Sequence, residues 1–226
     1  MVIATSMGGR GKGYGGPGKR LTPEDRKEQI VQKAIRYFAA HGFGASTREL
    51  AREIGVTQPL LYRYFPSKEA LVDHVYNEVY LSRWNPEWER WLADRTVPLR
   101  TRLCRYYKDY AGIILKNEWT RIFIFAGLTR EGLNTRYLAR LRGRIFELVL
   151  AELRHEYAIA DPSAAQLEQE LELIWGMHAA IFYVGMRKWV YWLAVPDDIE
   201  RLIEHKVSAF LASTPQVMRE LRQARA

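Results

Sequence analysis

The stretch IVQKAIRYFAAHGFGASTRELAREIGVTQPLLYRYFPSKEALVDHV, residues 30–75, carries three short apolar patterns at helical spacing. Ile30, Ala34 and Phe38 fall on one face of a first segment, Leu50, Ala51 and Ile54 on one face of a second, and Val56, Leu61 and Phe65 on one face of a third. Segments this short cannot bury their apolar faces alone, so the three helices share one small core. Gly42 and Gly44 close the first helix. Ser46 or Thr47 caps the second, with Glu49 or Glu53 in its early turns, and Gly55 tolerates the positive φ of a tight turn. Thr57 caps the third helix, whose first turn admits Pro59 because the missing N–H has no partner there anyway. The turn Gly55-Val56-Thr57 is short, which is helix-turn-helix geometry, and it makes the helix opening at Gln58 the element that enters a major groove.

The charge distribution points to the same partner. Residues 1–68 hold 12 Lys/Arg against 5 Asp/Glu, a surplus of +7, and residues 69–226 hold 22 against 21, a surplus of +1, which together make the net +8. Nearly all the excess cation density therefore lies at the helix-turn-helix end, where it attracts phosphate. The leader MVIATSMGGRGKGYGGPGKR holds 7 of the 16 glycines, with Arg10, Lys12, Lys19 and Arg20 interspersed, so residues 1–22 read as a disordered basic arm.

Phe38, Gly42, Thr47, Leu50-Ala51, Gly55-Val56, Leu61-Tyr62, Phe65 and Lys68-Glu69-Ala70-Leu71 together resemble the DNA-binding signature of the tetracycline-repressor (TetR) type of regulators. The run from Tyr62 to Glu69 is its most specific part. The resemblance covers roughly residues 28–75; beyond it only length and helical character match. It implies double-stranded DNA as partner and roles for individual residues. Thr47 and Arg48 are similar to positions that touch backbone and groove edge, and Tyr62 and Lys68 to a phosphate-binding pair. Gln58, Pro59, Leu60 and Arg63 would face base edges, with Thr57 and Tyr64 at the ends of the same helix. Leu60 stands where the family often has a small residue. Among these types, Gln pairs with adenine, Arg forks onto guanine, and Pro and Leu can meet thymine methyls. Some members of the family, and homeodomains, lay a basic arm into the minor groove as the N-terminal segment here could.

Length leaves room for a head of about 50 residues, 23–75, and a core-bearing second domain within 76–226 of about 130 residues or more. Ser67 reads as the cap of a long helix from Lys68 to about Ser82, which connects head to body. Breaks at Asn85-Pro86, Thr96-Pro98, Asn117, Glu131-Gly132, Asp161-Pro162, Val195-Pro196 and Thr214-Pro215 delimit helical segments 87–94, 98–116, 119–129, 133–156, 163–193 and 197–212. No alternating run of strand length occurs. The expected fold is all-α, a three-helix head joined to a helical bundle.

Aromatic residues crowd the second domain, and Tyr and Trp bring donors suited to a cavity that stacks flat molecules. Tyr106 and Tyr110, Trp119 and Phe123, and Trp175 with His178 and Phe182 share helix faces; with Trp88 they are the expected lining of a small-molecule effector site, on helices that enclose effector in the family the head resembles. The segment 163–193 is unusually apolar and carries Gly176, Ala179, Ala180 and Gly185, and 197–212 is amphipathic. In that family the last two helices pair across a two-fold axis, which implies a homodimer reading a near-palindrome.

Nothing in the chain points to an enzyme. It has no phosphate-cradling glycine loop, no Gly-x-Ser-x-Gly and no His-Glu-x-x-His, and its five histidines lack metal-ligand spacing. Asp197-Asp198 and Glu168, Glu170 and Glu172 read as helix-start charges. No cofactor or metal is expected. The single Cys104 fits a reducing cytoplasm, and no apolar run is of membrane-spanning length. The expected function is a dimeric, ligand-responsive repressor; the alternative is a DNA-binding regulator, repressor or activator, that needs no effector.

Overall fold

The computed structural model describes residues 22–129 and 132–223; the basic arm expected over 1–22 lies, save Thr22, outside them. The described chain is helical, with no strand among its elements. The head comprises α1 (Pro23–His41), α2 (Thr47–Ile54) and α3 (Gln58–Tyr64), followed by α4 (Lys68–Tyr76). Each begins where a side chain can satisfy an orphan N–H. Thr22 and Ser46 form reciprocal capping boxes with Asp25 and Glu49, Thr57 accepts from Leu60, and Ser67 accepts from Ala70. Gly42 and Gly55 end α1 and α2 at φ 72° and 73°, a conformation that other residues adopt only with strain. Ile30, Ala34, Phe38, Leu50, Ala51, Ile54, Leu61 and Phe65 are all buried, as the spacing required.

The body contains α5 (Glu87–Ala93), α6 (Leu99–Ile114), α7 (Asn117–Thr129), α8 (Leu133–Leu141), α9 (Glu147–Glu156), α10 (Ala164–Trp189) and α11 (Ile199–Gln223). Its buried side chains continue those of the head without interruption. The two parts meet where α7 lies along α1, so closely that a Cβ on Gly42 would stand 2.9 Å from the Phe125 ring.

Four expectations from sequence are corrected. The connector is not one regular helix to Ser82, because α4 gives way at Asn77 to a π-helical turn over Asn77–Leu81; a second such turn, Arg142–Phe146, joins α8 to α9. An inserted π turn leaves the apolar pattern looking helical while rotating the residues beyond it, so periodicity cannot reveal it. The helix expected over 163–193 ends at Trp189. The break at Thr214-Pro215 does not occur, and α11 runs through Pro215 to Gln223. An interior proline costs about 3 kcal/mol. Ties beyond it offset that cost: Arg219 and Arg222 donate to the Tyr157 and Ala160 carbonyls, and Gln166 to that of Leu221. Finally, Glu170 is not a helix-start charge. It is fully buried, gripped by Arg154 and Arg222, and clamps the end of α11 to α10. Asp198 does act at a helix start, accepting from the Arg201 N–H at 2.8 Å.

No described helix is long and apolar enough to cross a membrane, and no described group of His, Cys, Asp or Glu could hold a metal.

Candidate nucleic-acid interface and aromatic core

The geometry of α3 follows from one buried residue. Leu61 anchors the helix in the head core, and Phe65, which ends it, is buried beside it. Pro59 and Arg63, one turn apart, therefore face away from the core and are exposed. Tyr62 flanks them at 42% exposure, and Gln58, Leu60 and Tyr64 are half-buried. The start of α2 meets this face directly, because the Thr47 and Tyr62 hydroxyls lie 3.0 Å apart. Thr47 is half-buried, and Arg48 and Thr57 are exposed. The sequence-selected residues of α2 and α3 thus form one continuous surface. Among the described residues neither Arg48 nor Arg63 has a carboxylate partner, whereas Arg52, one turn after Arg48 on α2, is paired with Glu53. Arg48 and Arg63 are thus free to meet an external anion.

Lys68 stands apart from the others. It is half-buried, and its ammonium donates to the carbonyl of Phe43 in the loop after α1. It thereby fixes the first turn of α4 to the α1–α2 connection, and two of its three N–H groups remain for other acceptors.

In the body, the eight aromatic and imidazole side chains selected from sequence come together. Tyr106 stacks on Tyr110 at 5.5 Å, and Trp88 stands edge-on to both. Trp119 stacks on Phe123 at 4.9 Å, and Phe182 closes on both rings. His178 joins the two groups, lying 5.7 Å from Tyr110 and parallel to Phe182 at 6.3 Å, with Trp175 beyond it. The Tyr110 hydroxyl lies 3.3 Å from His178 Nδ1 and accepts from the Tyr137 hydroxyl at 3.4 Å. Burial holds the imidazole neutral, with its pKa lowered to about 4. Burial likewise pushes the Tyr106, Tyr107, Tyr110 and Tyr137 phenols upward, so all remain protonated donors.

Sequence reasoning missed Tyr80, Tyr137 and Phe146. Tyr80 donates to the Trp119 carbonyl and packs on Trp119, Phe123 and Tyr137, and Phe146 stands between Trp175 and His178. The i,i+4 pair Tyr76 and Tyr80 was a signal that could have found Tyr80. Two of the missed residues sit in the π turns, which hide their facing.

The aromatic rings pack on one another. Surface clefts of about 400 to 550 Å³ beside Arg121, Trp91, Lys108, Glu49 and Lys33 are lined by none of the eight selected side chains. Yet the Tyr76, Tyr106 and Tyr107 hydroxyls and the Trp84 and Trp119 indole N–H groups are buried without a hydrogen-bond partner among the described residues. An unsatisfied buried donor costs about 1–3 kcal/mol, so five in one cluster is a concentration of unmet hydrogen-bonding capacity.

A three-helix head with exposed cations lacking carboxylate partners, set on an all-helical body, has the build of a helix-turn-helix domain. Residues 30–75 match the family model described as bacterial regulatory proteins, tetR family. It is 45% identical over 49 residues to the uncharacterized HTH-type transcriptional regulator YerO of Bacillus subtilis, covering 21% of this chain and 17% of that protein. It is 39% identical over 64 residues to the HTH-type transcriptional regulator LuxR of Vibrio harveyi, covering 28% and 31%, and 28% identical over 88 residues to the class D tetracycline repressor of Escherichia coli, covering 35% and 40%. The chain thus spans less than half the length of these curated relatives. A TetR-like transcriptional regulator from Rhodococcus sp. RHA1 shares the fold with a TM-score of 0.61 at 21% identity, over 86% of this chain and all of that one. A tetR-family regulator from Streptomyces coelicolor does so at 0.54 and 19%, over 90% and 89%. These relatives and neighbours are regulators, not enzymes.

Proposed function

We propose that the protein is a dimeric transcriptional regulator that binds a near-palindromic operator through α3 and is released from it by a small aromatic or apolar effector. The observation that carries the DNA-binding part is the exposed face of Pro59, Tyr62 and Arg63, braced on α2 by the Thr47–Tyr62 contact and left without carboxylate neighbours. In this reading Arg63 and Gln58 read base edges, Pro59 and Leu60 lie against thymine methyls, and Thr47, Arg48, Thr57, Tyr62, Tyr64 and Lys68 hold the backbone. A homodimer forms through α10 and α11. Gly176, Ala179 and Ala180 leave one exposed stripe of α10 low enough for another helix to approach, and Tyr183, half exposed, continues it. One head alone would read too few bases.

The effector part rests on the unpartnered donors of Tyr106, Tyr107 and Trp119 beside Trp88, Tyr110, Phe123, Trp175, His178 and Phe182. They are polar handles set in stacking surfaces, and an occupant would part rings that now touch. That close packing also favours a second reading, a regulator that needs no effector. A thermal-shift screen of aromatic and amphipathic compounds separates the two, since a ligand at 100 times its Kd stabilises by about 2.7 kcal/mol. Operator selected from random duplex should then bind more weakly when ligand is present, with a coupling of about 1–3 kcal/mol. A ligand that leaves operator affinity unchanged would overturn the effector reading, and failure to enrich any duplex would overturn the whole.

A further inference from the structure

Opposite faces of α7 do different things. Trp119 and Phe123, one turn apart, belong to the aromatic core, while Arg121 and Phe125, also one turn apart, face the head. The Arg121 guanidinium is shared among three helices. Its Nε and one terminal nitrogen donate to the carbonyls of Ala39 and Ala40 in the last turn of α1, and its other terminal nitrogen donates to the Trp189 carbonyl at the end of α10, 3.0 Å away. These are carbonyls that a helix C-terminus leaves unpaired, with the partial negative charge that favours a cation. Around this fork α7 has little freedom. Thr120 lies where a Cβ on Gly185 of α10 would be 2.7 Å away, its hydroxyl donates to the Ile114 carbonyl, and Phe125 lies against Gly42. The Trp189 indole in turn donates to the Leu115 carbonyl at 2.7 Å. The connector, by contrast, is interrupted by its π turn at Asn77–Leu81.

We propose that Arg121 is the strut that passes a displacement of α7 to the DNA-binding head: its fork ties the end of α1, and with it α2 and α3, to the helix that carries Trp119 and Phe123. This rests on reading the aromatic core as the effector site. A planar guanidinium holding two helix ends at fixed angles transmits rotation as well as translation.

The test is hydrogen exchange on the full-length chain, with a mild core substitution, Phe123→Leu, in place of a ligand. In the wild-type background that change should raise exchange in the last turns of α1, residues 35–42, by about tenfold through local opening. In an Arg121→Gln background those amides should already exchange faster, and Phe123→Leu should add nothing to them. Residues 133–141, which face Phe123 through Tyr137, should respond equally in both backgrounds, which a general loss of stability would not produce. Arg121→Lys keeps the charge without the fork and should behave as Arg121→Gln does; it also serves if the glutamine variant fails to fold. Equal responses at 35–42 with and without Arg121, no response there in the wild-type background, or full coupling retained by lysine would each overturn the strut. The experiment uses neither ligand nor DNA, so its failure is distinct from failure of the regulator reading, which binding of the wild-type chain to duplex decides.

Discussion

In the head, Tyr62 and Arg63 stand in solvent on α3, whereas in the body Tyr106, Tyr107 and Tyr110 are fully buried and Arg102 is paired with Glu152 away from water. Burial alone would raise the Glu152 carboxyl, but hydrogen bonds from Arg95 and Arg102 outweigh it and hold it below the usual range. The same residue types thus stand exposed at one end and are packed and paired internally at the other. In the proposed reading, the contrast teaches that the DNA-facing surface is preassembled while the body's aromatic cluster is closely packed and would have to open for an effector. A partner of the head finds its contacts waiting, and an occupant of the body must separate rings that already pack together. That opening must be compensated by the hydrogen bonds the buried phenols and indoles lack.

The contrast is broken most sharply through charge. Removing Glu170 leaves Arg154 and Arg222 facing each other with little solvent, so Glu170→Ala should cost about 3–5 kcal/mol in urea unfolding, whereas Glu53→Ala on the exposed surface of the head should cost under about 1 kcal/mol. Equal costs at the two sites would show that burial does not distinguish the two regions.

A pH series sharpens it next. The imidazole of His178 has a pKa of about 4 in the fold against the ordinary 6.5 of a solvated histidine, so the unfolded chain binds more protons between those values and stability falls as pH drops from about 6.5 toward 4. The linked loss is on the order of 3 kcal/mol across that window. His178→Gln should flatten this part of the stability-against-pH curve, and an unchanged slope would mean that the imidazole is not held neutral by the aromatic core.

Smaller effects are expected on the head. Replacing Tyr62 by Phe removes the bond to Thr47 and should lower stability by about 0.5–1.5 kcal/mol while weakening all DNA sequences alike. Lys68→Ala should also weaken all sequences and flatten the salt dependence by about one unit per chain, with an added loss of stability because the tie to Phe43 goes as well. A stability unchanged by Lys68→Ala would show that the tie contributes nothing.

Legibility divided along the same line. The head was readable because its devices are local: Ser46 with Glu49, Thr57 with Leu60, Gly55 at the turn and Leu61 facing in are all fixed within a few residues. Six of the eight body residues could be chosen as i,i+4 pairs, Tyr106 with Tyr110, Trp119 with Phe123 and His178 with Phe182, and the structure brings them into one cluster with Trp88 and Trp175. The features that stayed hidden depend on distant partners or on a changed helical pitch. Pro215 sits inside a helix because Arg222 and Glu170 hold its far end, Glu170 is buried by arginines 16 residues before it and 52 after it, and Tyr80 and Phe146 are turned inward by π turns. The role of Arg121 was equally invisible, since the carbonyls it grips carry no sequence signature.

The most direct test of DNA reading by the exposed face of α3 is the binding of the full-length chain, wild type and Arg63→Ala, to duplexes enriched from a random pool, measured across a salt series with the stoichiometry. The expected result is a near-palindromic consensus bound by two chains, a loss of about 1–3 kcal/mol per half-site for Arg63→Ala confined to one base position, and an unchanged salt slope for that variant. Absence of any consensus, or an Arg63→Ala chain that binds every duplex as the wild type does, would contradict it.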